Sequence, residues 1–104
     1  MSPLAPPLTG IQRRHLRKLA HTMKPTVMIG EAGISDAVLA ALDRALRDHE
    51  LVKVKLRETA ERKEAAQRLA RESGAELCGL VGRSVVLYRP HPEDPQIELP
   101  RSSG

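Results

Sequence analysis

A single α/β domain with the order helix, strand, helix, strand, helix, strand, strand is predicted by three observations. Apolar residues recur at helical spacing in three segments, four short aliphatic runs separate or follow them, and glycine or proline marks most junctions. The 104 residues suffice for one core but not for two. Strands linked through crossover helices pair in parallel, and strands joined by a tight turn pair antiparallel, so the four form a mixed sheet.

Each element follows from local chemistry. Residues 1–8 contain three of the eight prolines and predict a disordered lead-in. Thr9 or Gly10 then caps a first helix, which Pro25 helps to end. Thr26 to Ile29 reads as a short buried strand. After the segment Gly30-Glu31-Ala32-Gly33, the Ser35 hydroxyl caps a second helix, whose apolar stripe is Val38, Leu39, Leu42, Ala45 and Leu46 and which runs to about His49. Leu51 to Leu56 is a strand with Val52, Val54 and Leu56 on one face and Lys53, Lys55 and Arg57 on the other. That alternation predicts a sheet surface that is partly open and positive. A third helix is expected from about Ala60 to Ser73, with Ala66, Leu69 and Ala70 inward and Gly74 as its stop. Ala75 to Val81 and Ser84 to Arg89 form a hairpin around Gly82-Arg83. The folded domain is bounded at residues 9–100, with the chain from Pro90 expected to be loose and residues 101–104 a loose tail.

Composition narrows the function. Apolar residues make up 40% of the chain, yet there is no Phe, no Trp and one Tyr, so the core is aliphatic. Platforms that stack several bases on aromatic rings are excluded, because Tyr88 alone cannot form one. The lone Cys78 rules out an internal disulfide, and its apolar surroundings make it a small buried hydrophobe rather than a reactive thiol. His15, His21, His49 and His91 are scattered without metal-ligand spacing, so neither a metal nor any other cofactor is expected. No charged start precedes a long apolar run of the kind found in signal peptides or spanning helices; a cytoplasmic location is the expectation.

Charge is unevenly placed. Arg13, Arg14, Arg17, Lys18 and Lys24 fall between Ile11 and Lys24 without one acid, whereas the other 12 basic residues are outnumbered by 13 acids. On a helix, Arg14, Lys18 and His21 share a face with Arg13 and Arg17 alongside, and Ile11, Leu16, Leu19, Ala20 and Met23 line the opposite side. A solvated face usually carries acids four residues from its cations, and this one has none. A polyanion fits it better than a membrane surface, because the apolar side lacks an aromatic anchor and is needed to cover the core.

Gly30 and Gly33 lie between a strand and a helix, where glycine lets a ligand approach the main chain and a helix start attracts phosphate. The loop lacks the Gly-Lys-Ser/Thr ending of a P-loop and the third glycine of a dinucleotide fingerprint. Gly79-Leu80-Val81-Gly82 fits the same Gly-x-x-Gly pattern inside the hairpin, so pattern alone leaves a phosphate cradle and a plain turn both open. Position favours comparison with the Gly-x-x-Gly clamp of KH domains, which also borders a helix.

The blocks "LAHTMKPTVMIGEAGISDAVL", "LRDHELVKVKL" and "GRSVVLYRP" occur here in order. Together they resemble bacterial YhbY-like members of the CRS1-YhbY, or CRM, RNA-binding domain family, over nearly all of Gly10 to Pro100. The resemblance implies a compact α/β domain similar to the C-terminal domain of translation initiation factor three, with a KH-like loop. It also implies RNA as partner: bacterial members are associated with large-ribosomal-subunit precursors, plant members with organellar intron splicing. A short chain without a second domain matches the ribosome-associated kind. Residue by residue, the family loop falls on Gly30, Glu31, Ala32 and Gly33, its basic helix on Arg13, Arg14, Arg17 and Lys18, and further basic positions on Lys24, Lys53, Lys55, Arg83 and Arg89. Glu31 departs from the family's often polar or basic loop and would repel a phosphate.

The expectation is therefore a non-enzymatic, monomeric protein that binds ribosomal RNA in large-subunit precursors and assists assembly, with no small-molecule substrate and no membrane. The alternative is a module that docks on ribosomal proteins, its charge serving only solubility. An enzyme ranks third: Asp48 beside His49 offers acid-base chemistry, but Asp48-His49-Glu50 reads better as a helix end.

Overall fold

A computed structural model describes residues 8–57 and 61–100. Its element order is α1 (Gly10–Ala20), β1 (Val27–Met28), α2 (Asp36–His49), β2 (Leu51–Lys55), α3 (Arg62–Ser73), β3 (Glu76–Val81) and β4 (Ser84–Tyr88), the αβαβαββ order read from sequence. The caps are those the residue types predict. Thr9 and Gln12 form a reciprocal capping box at the start of α1, each backbone amide donating to the other's side chain at 3.1 Å. Ser35 Oγ accepts from Val38 N at 3.2 Å at the start of α2. Gly74, at φ +69, closes α3. The expected start of α3 at Ala60 lies outside the described residues.

The strands form one mixed sheet in the order β1-β2-β4-β3. β1 and β2 are parallel through the α2 crossover, and β2/β4 and β4/β3 are antiparallel, the latter pair joined by the two-residue turn at Gly82-Arg83. Alternation divides the sheet between two cores. On one face Val52, Val54, Val85 and Leu87 pack with Leu42, Leu46 and Leu69 of α2 and α3. On the other, Leu51, Cys78, Val86 and Tyr88 pack under Leu16 and Ala20 of α1. Burial pushes the Cys78 thiol up to about 12, so the thiol stays protonated and acts as a packing group.

The structure corrects four local expectations. Met28, within the strand expected to be buried, is exposed, because it points to the sheet face opposite Val27. Ile11 and Leu19, assigned to the apolar side of the first helix, are exposed; the flank of α1 that meets β3 is occupied by arginine stems, leaving only a narrow stripe for burial. Leu8, placed by sequence in the lead-in, is buried beside Leu16. The chain from Pro90, expected to be loose, is anchored. Its Ile97 and Leu99 pack against the α1-side core, and Gln12 Nε2 donates to Pro100 O at 3.1 Å. Its main anchor is Glu50, which ends α2 at φ 60 and is only 4% exposed. The Glu50 carboxylate accepts from the amides of His91 at 2.6 Å and of Gln96 and Ile97 at 2.9 Å. Burial alone would raise the Glu50 carboxyl, but these amides outweigh it and hold the group below its ordinary value.

Candidate nucleic-acid interface

Register decides what the loop meets. Because β1 and β2 run in parallel with Met28 opposite Lys55, both end at the same edge of the sheet. The Gly30–Gly33 loop leaves β1 there, and Leu56 and Arg57 leave β2 beside it. β4 starts at the same edge, with Ser84 opposite Lys55. The hairpin turn is pinned over this corner: Leu56 N donates to Arg83 O at 2.7 Å, Arg83 Nη1 to Arg57 O at 3.1 Å and Arg62 Nη1 to Gly82 O at 2.8 Å.

The loop itself is a turn closed by Gly33 N donating to Gly30 O at 3.1 Å. Gly33 sits at φ +70, where a β-branched side chain is strained. Gly30 has no such constraint, but a Cβ on either glycine would meet nothing within 4 Å, so the outer side of the loop is open to a ligand. Glu31 pairs with Arg57 at 2.8 Å, and both side chains are largely solvent-exposed, at 83% and 52%. Such a pair contributes about 0–1 kcal/mol, so Arg57 can exchange Glu31 for a phosphate. Two open clefts flank the pair. One of about 420 Å³ is lined by Ile29, Gly30, Glu31, Gly33 and Arg57 toward α3. The other, about 380 Å³, is lined by Met28, Gly30, Lys55, Arg57 and Arg83 on the α1 side of the sheet.

The helix start behind the loop offers less than its position suggests. Ser35 already occupies the Val38 amide, and Asp36 places a carboxylate in the first turn of α2. An anion at the loop therefore meets side-chain cations and the loop backbone more than a bare helix terminus.

The basic residues of α1 divide by role. Arg17 Nη1 donates to Cys78 O at 2.8 Å and Arg13 Nε to Leu77 O at 3.4 Å, tying α1 to β3. The pairing of β3 with β4 shifts register between Leu77 and Gly79, and the Arg17 stem lies across Gly79, where a Cβ would collide with Arg17 Cδ. The Gly79–Gly82 copy of the pattern is therefore structural. Arg14 and Lys18 are exposed, and neither makes a salt bridge among the described residues.

Other sequence-predicted positions separate. Lys53 Nζ donates to Ala20 O and Met23 O, both at 3.3 Å, closing the C-terminal end of α1. It still borders a small cleft with Arg17, His21, Val81 and Ser84, next to the loop corner. Lys24 faces another side, with Leu19, Met23 and His49. Arg89 lies past the far end of β4 and donates to Ser73 O at 2.6 Å, Asp43 O at 3.2 Å and Asp43 Oδ1 at 3.0 Å. Arg47, and then Arg89, hold the Asp43 carboxyl below its ordinary value.

The structure thus gathers Gly30, Glu31, Ala32, Gly33, Lys55 and Arg83 at one corner, sets Arg17 and Lys53 beside it, leaves Arg14 and Lys18 outward, and places Lys24 and Arg89 elsewhere. Sequence reasoning missed Arg57 as a loop neighbour. Parallel pairing of the strands before and after α2 was the available signal, because it brings their ends together. Among the described residues, no group of three or more His, Cys, Asp or Glu side chains could hold a metal ion. No described helix is long and apolar enough to cross a membrane.

Residues 8–89, which include the loop, the corner and both sheet faces, match the model of the CRS1/YhbY (CRM) domain. The chain belongs to that family. This CRM domain is 36% identical over 95 residues to the "Probable RNA-binding protein YqeI" of Bacillus subtilis, covering 89% of this chain and 99% of that one. It is 40% identical over 98 residues to a protein of Haemophilus influenzae named "RNA-binding protein", covering 90% and 96%. The solution structure of a hypothetical protein from Staphylococcus aureus superposes with a TM-score of 0.79 at 38% identity, over 89% of this chain and 99% of that one.

Proposed function

We propose that this CRM domain binds RNA, without catalysis, at the corner formed by the Gly30–Gly33 loop, Lys55, Arg57 and Arg83, with Arg14 and Lys18 of α1 extending the contact. The observation that carries this reading is the convergence of three strand ends and an open glycine loop on cations whose nearby acid, Glu31, is held in an exchangeable pair. RNA-binding names among relatives of similar length support the choice of RNA over other polyanions. Arg13, Arg17 and Lys53 contribute chiefly by positioning α1, since each is half-buried and directs a donor to a backbone carbonyl that ties α1 to the sheet or closes its end. Lys24 and Arg89 lie outside this surface.

The proposal extends to ribosomal RNA in precursors of the large subunit, met in the cytoplasm by a monomer. Sequencing RNA crosslinked to the protein in cells tests it. Recovery dominated by large-subunit RNA is the expected result, and recovery without such enrichment would remove the ribosomal part. Binding measured across a salt titration tests the RNA contact itself: log K should fall with log salt by roughly 0.7 per neutralised phosphate on a single strand, whereas a flat response favours docking on ribosomal proteins.

A further inference from the structure

The open end of the sheet carries a row of side chains in which RNA-phosphate contacts account for Lys55 but not for its apolar members. Register places Met28, Lys55, Ser84 and Val81 side by side across all four strands, in the order of the sheet. The row lies on the α1 side, and the end of α1 reaches only its Ser84–Val81 half, where Arg17, Ala20 and His21 border a small cleft; the cleft at Met28 and Lys55 has no α1 residue in its lining. Met28 and Val81 are exposed, at 67% and 64%. A solvated sheet face ordinarily carries polar residues, as Lys55 and Ser84 do here. Of the exposed apolar pair, Met28 is the one that shares a cleft with three cations, Lys55, Arg57 and Arg83, a setting that suits a ligand with both a flat apolar face and negative charge.

We infer that Met28 seats an unpaired nucleobase while Lys55, Arg57 and Arg83 hold the adjoining phosphates, so that the corner selects single-stranded over duplex RNA. The inference rests on RNA binding at this corner. Met28, Lys55, Arg57 and Arg83 line one cleft of about 380 Å³, within the size range of small-ligand sites. A methionine thioether is polarizable, adapts its shape and packs well against π faces. Apolar side chains can sandwich an extruded base as aromatic ones do. A duplex buries its base faces in the stack and offers none to such a seat. No aromatic residue is needed, which fits a chain whose one Tyr is buried in the core.

The test uses the full chain, a single-stranded oligouridylate and a fully paired RNA duplex of the same length, with the parent and the variants Met28→Ala and Met28→Leu. Met28 is exposed, so both variants should melt with the parent. The parent should prefer the single strand. Met28→Ala should weaken single-strand binding roughly 2- to 10-fold, the range of one sulfur–aromatic contact, at every salt concentration and with an unchanged salt slope, because no charge is removed. Duplex binding should not change, and Met28→Leu, which keeps the apolar bulk but not the sulfur, should lose less than Met28→Ala. If Met28→Ala binds the single strand as well as the parent, or loses both RNAs equally, the seat is wrong while RNA binding stands. A parent that binds neither RNA overturns both readings, and one that favours the duplex overturns the seat.

Discussion

The two ends of the central strands use the same kinds of residue to opposite effect. At the end where α2 meets β2, Glu50 is buried and satisfied by three amides, and Arg89 spends its donors on Ser73 and Asp43. At the loop end, Glu31 and Arg57 pair in the open, and Arg83 reaches one backbone carbonyl from an exposed position. A charge that is itself partly or wholly buried and holds several partners acts as structure. One whose partner is solvated and worth about 0–1 kcal/mol remains available to a ligand. Counting basic residues cannot make this distinction.

Removing Glu50 should have the largest effect. Glu50→Ala strips the acceptor from three amides, and since hydrogen bonds to charged groups contribute about 1.5–3 kcal/mol, destabilisation of about 3 kcal/mol is expected in denaturant unfolding. The salt slope of RNA binding by the folded protein should be untouched. The pH dependence has a definite sign. The Glu50 carboxyl lies below its ordinary value in the folded state, so its contribution is fully present above the unfolded pKa of about 4.3 and is lost as pH falls through the lower folded value. Glu50→Gln should flatten the stability profile in that acidic window.

Neutralising the outer face of α1 should do the reverse, altering binding and sparing stability. Replacing both Arg14 and Lys18 by Gln should reduce the salt slope by about 1.4, which is about 25-fold in affinity at 0.1 M salt for an unchanged intercept at 1 M. The melting temperature should stay near the parent's, since glutamine keeps helix propensity. Equal binding across the titration would reduce this face to a soluble surface and confine the site to the loop corner.

Gly33→Val should affect both properties. A left-handed position resists a β-branched residue by about 1–2 kcal/mol, and the new side chain would also stand on the open side of the loop. Thermal melting with binding in parallel separates the two; full affinity in the folded variant would make the loop a mere turn. Glu31→Lys should produce the smallest change in stability, within about 1 kcal/mol, while tightening RNA binding by releasing Arg57 and reversing the loop's charge. Weaker binding would mean that the Glu31–Arg57 pair orders the site and is not exchanged for phosphate.

Much of this was legible in the residues because it is short-range. Thr9 and Ser35 cap the helices they precede, Gly33 takes the left-handed angle, and the alternation through Leu51 to Leu56 assigns one face to the larger core. What was missed depended on distant partners. The chain after Pro90 has no periodicity and reads as loose, yet a carboxylate far from it in sequence secures its amides. Arg89 and Lys53 look like two more cations on strands until their acceptors, Ser73, Asp43, Ala20 and Met23, are brought near them.

The sequence by itself determined the element order, the caps, the aliphatic core and the concentration of positive charge on the first helix, since propensity, periodicity and hydrogen bonds within a few residues act inside each segment. Tertiary structure alone decided which charges are consumed and which are offered. That choice depends on the parallel register of β1 with β2, which sets Arg57 against Glu31, and on closure of long loops that bring Glu50 to the tail and Arg89 to Asp43. Ion pairs and hydrogen bonds operate over a few ångströms, so parallel pairing could bring Arg57 near the loop, but which partner each charge takes was fixed only once the strand ends and loops had been brought together.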